Sequence, residues 1–167
     1  MTASSLAAFV AQFAATGRIG ELHVGMDAAA LGSALRDLGI DYRNVYGADS
    51  NDRYGSVDLA VSEDQLVLLG LDHDGDLDFE LPGVLGAGTQ PAAIPRDVLE
   101  AELTKAGCPL SDDPSLTFPG QQSAVRTGAG VSLVFARPSA LDVEMDTDAE
   151  FLASAYISLA RSVSREV

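Results

Sequence analysis

The run Asp72-His73-Asp74-Gly75-Asp76-Leu77-Asp78 is the densest set of candidate ligands in the chain, with a carboxylate at every second position. Oxygen donors at that spacing are what a hard cation such as calcium takes from a looped backbone. Two departures count against that use. The sixth position, where a sharp bend needs glycine, is Leu77, and the twelfth, which should supply a glutamate, is Gly83. An extended backbone would also splay these carboxylates along one face instead of converging them. The run therefore reads as a solvated acidic hairpin without metal, its Asp74-Gly75 step supplying the tight turn. His23 and His73 are the two histidines, and neither stands near a Ser or Cys in a nucleophile context. Cys108 follows a helix-ending glycine and reads as a small core residue. The stretch from Gly83 to Gly88 lacks the lysine of a phosphate-binding loop and reads as a linker. These residues give no catalytic constellation and no cofactor site, so the reading is not that of an enzyme.

Charge is the more informative property. The 167 residues carry 10 Lys and Arg against 25 Asp and Glu, a formal charge of −15. Such a balance repels nucleic acid and anionic lipid and steers cationic partners. From Asp49 to Glu80 there are ten acids and one base, Arg53. Placed on a loop, an outer strand face and hairpin tips, they predict one strongly negative side of a sheet. Asp49, Asp52, Tyr54, Asp58, Asp72, Asp74, Asp76 and Asp78 are the candidate partner-binding residues; a merely solvated face is the alternative. A single cysteine excludes an intramolecular disulfide and a Cys-rich zinc site. The N-terminus has no basic region before its apolar residues, and no run of about 18 apolar residues is present. The expectation is a cytoplasmic protein, monomeric or homodimeric.

The elements that must position these residues follow from periodicity. Length predicts one domain over residues 1–167. Helices are expected from Ser4 to Thr16, capped at Ser4 or Ser5; from Asp27 to Gly39, capped by Asp27; and from Pro95 to Gly107. Strands are expected at Tyr42 to Tyr46, Val57 to Val61, Gln65 to Leu71 and Leu77 to Leu81, with Gly47 to Arg53 as a loop. Further strands are expected at Ser115 to Phe118, Ser123 to Thr127, Val131 to Phe135 and Leu141 to Met145. Thr147-Asp148-Ala149-Glu150 has the form of a capping box, predicting a C-terminal helix with Phe151, Leu152, Ala155, Tyr156, Leu159 and Val163 on its buried stripe. An internal repeat, 19–81 and 94–146, is suggested by matching apolar residues. Val57, Leu59 and Val61 align with Val131, Leu133 and Phe135 at an offset of 74, as do Val67, Leu69, Leu71 and Asp72 with Leu141, Val143, Met145 and Asp146, and the helices align at 68. The expected class is α+β: an antiparallel sheet packed by helices, with two helix-then-strands units and helices at both termini.

The pattern Gly25-Met26-Asp27, helix, Leu38-Gly39, polar loop, Tyr54-Gly55, then Val57-Asp58-Leu59 and Leu66-Val67-Leu68 resembles small bacterial immunity proteins encoded near polymorphic toxins. It spans residues 19 to 72. The resemblance implies a protein without catalysis that binds a toxin domain and blocks its active site, often through acidic side chains when the toxin is basic. Two other readings compete. Secretion chaperones are also small and acidic and dimerise through a helix or strand, a role open to the expected C-terminal helix. A small-ligand-binding domain is the third.

Overall fold

The computed structural model describes residues 3–42, 49–86 and 90–159. Three helices, α1 (Ala3–Thr16), α2 (Ala28–Asp37) and α3 (Arg96–Lys105), pack against an antiparallel sheet of seven strands. In chain order these are β1 (Ser50–Tyr54), β2 (Val57–Ser62), β3 (Gln65–Asp72), β6 (Leu110–Asp112), β7 (Gln122–Thr127), β8 (Ser132–Ala136) and β9 (Phe151–Ser158). Their order across the sheet is β1-β2-β3-β9-β8-β7-β6. A separate ribbon pairs β4 (Asp78–Phe79) with β5 (Ala92–Ala93). The fold is α+β, as expected.

One apolar core joins the helices to the sheet. Alternation turns Val57, Leu59 and Val61 of β2 and Leu133 and Phe135 of β8 toward it, beside Leu31 and Leu35 of α2 and Leu99 and Leu103 of α3. Helix α1 is buried through Leu6, Val10 and Phe13 and also through Ala7, Ala11 and Ala14, so it lies deep in that core. The Thr127 hydroxyl ties it to β7 by donating to the Ala14 carbonyl at 2.7 Å.

The two halves repeat one another in their hydrogen bonds. The Ala28 amide bonds the Asp64 carbonyl, and the Arg96 amide bonds the Glu150 carbonyl. Leu66 donates to Met26, and Leu152 donates to Ile94. After each helix, at Gly39 (φ 71°) and Gly107 (φ 63°), the next residue's amide reaches back to Leu35 or Leu103. Both strand pairs carry a bulge, between Ala60 and Val61 in one and between Val134 and Phe135 in the other. The units meet at the β3–β9 pairing, where Gly70 faces Tyr156. A Cβ at Gly70 would stand 2.9 Å from the Tyr156 Cβ, so this pairing leaves no room for a side chain at position 70.

Several expected elements are corrected. The C-terminal helix is replaced over Phe151–Ser158 by β9, the strand that joins the halves. Its capping box does not close: Thr147 Oγ1 accepts from the Ala149 amide, while Glu150 binds Arg96. An eight-residue segment with aromatic and apolar residues fills the slot between β3 and β8, where tertiary pairing outweighs local helix signals. Arg161 and the rest of 160–167 lie outside the described residues.

The expected strand at Leu141 to Met145 is irregular and exposed, following a 3-10 turn at Pro138–Leu141. The repeat therefore continues into β9, not into 141–145. Ser50–Arg53, read as loop, is strand β1, whose polar residues suit an edge. Ser115 to Phe118 is not a strand; a 3-10 turn covers Pro114–Leu116, and β6 precedes it. Residues 43–46 of the strand expected from Tyr42 lie outside the described residues. Helix α1 already includes Ala3, so neither Ser4 nor Ser5 caps it. Asp27 stands at the N-cap of α2 without a side-chain capping bond.

Candidate functional site

The ten acids between Asp49 and Glu80 do not share one face. Asp49 lies beside the β2–β3 turn, its carboxylate accepting the Glu63 amide at 3.3 Å. Asp52 is half-buried on the edge strand and accepts the Ser50 hydroxyl at 3.2 Å. The run from Asp72 onward lies at the other end of these strands, separated by the length of β2, about 20 Å.

Tyr54 is half-buried and meets Tyr42 edge-on, with ring centroids 6.5 Å apart. Burial, and after it the Asp52 carboxylate, push its phenol up to about 12. The neutral phenol is thus favoured in the folded chain. Stability drawn from it is complete below the unfolded value near 10 and is lost as pH rises from there through about 12. Absorbance titration should show one tyrosinate appearing near pH 12 in the wild type and missing from Tyr54→Phe; a Tyr54 titrating near 10 would contradict this packing.

Arg53, the one base in this segment, is used structurally. Its guanidinium donates to the carbonyls of Gly55, Asp72 and His73 at 3.0, 3.0 and 2.8 Å. The Asp58 and Asp72 carboxylates stand farther off, each at 3.8 Å. Burial raises the Asp58 carboxyl, with Arg53 opposing and Asp72 adding to the rise. Asp58 and Asp72 are therefore within ion-pair distance of Arg53 at the strand ends.

Beyond Asp72 the chain turns. The Asp74 amide bonds the Asp78 carbonyl, and it is Leu77 (φ 65°), not Gly75, that takes the left-handed conformation. The turn leads out of the main sheet into the β4–β5 ribbon and brings Asp76 and Asp78 to a depression also lined by Asp142, Val143, Glu144 and Met145. This juxtaposition of the two halves was missed by sequence reasoning, which placed 141–145 in a strand. The available signal was the same density of acids: five from Asp142 to Glu150, with no base among them.

Asp74 to Glu80 and Asp142 to Asp148 together supply eight carboxylates. Among the described residues none of the eight has a cation within ion-pair distance, and all but half-buried Asp78 are exposed. Glu150, next in line, is held by Arg96 at 2.6 Å, with Ser123 and Glu100 on the same guanidinium. Asp113, on the other side of the sheet order, is a structural acid: the Ser115 hydroxyl donates to it and holds its carboxyl below the usual range.

No protein-family model matches the chain, and neither does any curated protein or solved structure. Among the described residues, no three His, Cys, Asp or Glu side chains are grouped to hold a metal ion, and no helix is long and apolar enough to cross a membrane. Cys108 is half-buried after the α3 cap, and burial raises its thiol above the ordinary value. The histidines are likewise engaged locally, with His23 Nδ1 on the Val24 carbonyl and His73 Nδ1 on that of Asp74.

Proposed function

We propose that this protein is a non-catalytic acidic binder that acts in the bacterial cytoplasm as an immunity protein, neutralising a cognate basic toxin domain. The observation that carries the reading is the depression that gathers Asp76, Asp78, Asp142 and Glu144 from both halves, four of the eight carboxylates without an ion pair among the described residues. Like charges left without counter-ions oppose folding, and a cationic partner relieves that repulsion on binding. The secretion-chaperone reading loses its basis in a C-terminal helix, because that segment is a strand inside the sheet.

The test compares wild type with Asp76→Asn/Asp78→Asn/Asp142→Asn/Glu144→Gln as bait in lysate of the encoding organism. The expected result is one basic protein, retained stoichiometrically and through a high-salt wash by the wild type and lost from the variant. Equal retention by both baits, or no basic protein on either, would contradict the proposal.

A further inference from the structure

The two units differ most in how their second and third strands are joined. Between β2 and β3 the link is Glu63-Asp64, both left-handed, at φ 52° and 60°. The corresponding link between β8 and β9 runs over residues 137–150. Two residues suffice to close the first pair, so the longer connection is not needed to make the sheet. Connections of that length in compact domains usually have a role of their own.

Its apolar residues are the notable part. Leu141 is 38% exposed and Met145 39%, with Val143 half-buried beside them. Leucines of the flanking sheet such as Leu133 and Leu152 are fully buried. Two large apolar side chains on one short segment thus keep more than a third of their surface in water. Val143 and Met145 line one depression with the carboxylates of Asp76, Asp78, Asp142 and Glu144, and Leu141 precedes it on the same connection. Exposed apolar side chains beside unpaired charges suit a protein-binding patch, with the charges setting which partner is admitted.

We infer that the β8–β9 connection is the anchoring element of the acidic surface, and that its occupant is a cationic protein segment presenting apolar side chains between its basic ones. This rests on the acidic-binder reading and deepens it. Leu141 and Met145 receive the apolar side chains, and the carboxylates select lysine and arginine beside them. Nucleic acid and anionic lipid are repelled by the same carboxylates.

The probe is a leucine–lysine peptide designed as an amphipathic helix, compared with a scrambled peptide of the same composition, by fluorescence anisotropy on the full chain. The wild type should bind the amphipathic peptide about tenfold more tightly than the scrambled one. Leu141→Ser/Met145→Ser should erase that preference while the far-UV circular dichroism stays that of the wild type, because neither side chain belongs to the buried core. Equal binding of the two peptides, no binding of either, or a preference surviving in the double variant overturns the inference. Two failures are separable. If the four-carboxylate variant loses both peptides while Leu141→Ser/Met145→Ser behaves as wild type, the anchor fails and the acidic-binder reading stands. If the four-carboxylate variant also binds as wild type, both fail.

Discussion

Phe135→Ala is expected to destabilise the protein by about 4 kcal/mol, the scale of removing a fully buried phenylalanine. Phe135 is 0% exposed, lies opposite Ser123 and Leu152 in neighbouring strands, and carries the Arg96 guanidinium 4.5 Å above its ring. Truncation opens a cavity and also removes the cation–π contact, worth about 0.5–1 kcal/mol at a partly exposed site. Arg96 then keeps only its polar partners Glu100, Ser123 and Glu150. Val61 occupies the corresponding place in the first unit, also buried, with no arginine over it. Val61→Ala should cost about half as much. Denaturant unfolding measures both as a shift of midpoint at constant slope. A loss below about 1.5 kcal/mol for Phe135→Ala would mean that its side chain does not seal the second unit.

The second large effect concerns affinity. Once the partner is in hand, Asp76→Asn/Asp78→Asn/Asp142→Asn/Glu144→Gln should weaken binding by about 3 kcal/mol, more than a hundredfold. The fold should survive, because these side chains make no ion pair among the described residues. Asp49→Asn/Asp52→Asn is the internal control. Those carboxylates lie at the other end of the strands or on the edge strand, where each accepts a local hydrogen bond. Their replacement should change affinity by less than about threefold. Titration calorimetry at low and high salt reads both. An equal loss from the two variants would return the binding surface to the whole of 49–80.

How far the sequence reveals this protein can be judged element by element. Leu31, Leu35, Leu99 and Leu103 mark the buried faces of α2 and α3 because helical spacing is a local property. Val57, Leu59 and Val61 do the same for β2. Ser50–Tyr54 escapes because an edge strand can be built from Asn, Asp and Arg, with no alternation of apolar residues to betray it. Phe151–Ser158 is misread because a capping-box pattern and a helical stripe coexist with a sequence that pairs well on both sides. Only the demand of β3 and β8 for a strand between them decides the outcome.

The same demand hides the site. The apolar repeat at an offset of 74 reaches Phe135 and stops, since the second unit inserts a long connection before β9. Leu141, Val143 and Met145 alternate like a strand and continue that offset by coincidence. Read so, Asp142 and Glu144 point nowhere in particular, and Asp76 and Asp78 appear to belong with Asp49. The fold groups them otherwise, through the β4–β5 ribbon.

Hydrogen exchange of the full chain, free and saturated with the captured basic partner, shows where that partner sits. Slowed exchange is expected in two separated stretches, 72–80 and 137–150, with the amides around Asp49 unchanged. Protection confined to the helices or to the β1 edge, with both stretches exchanging as in the free protein, would contradict that placement.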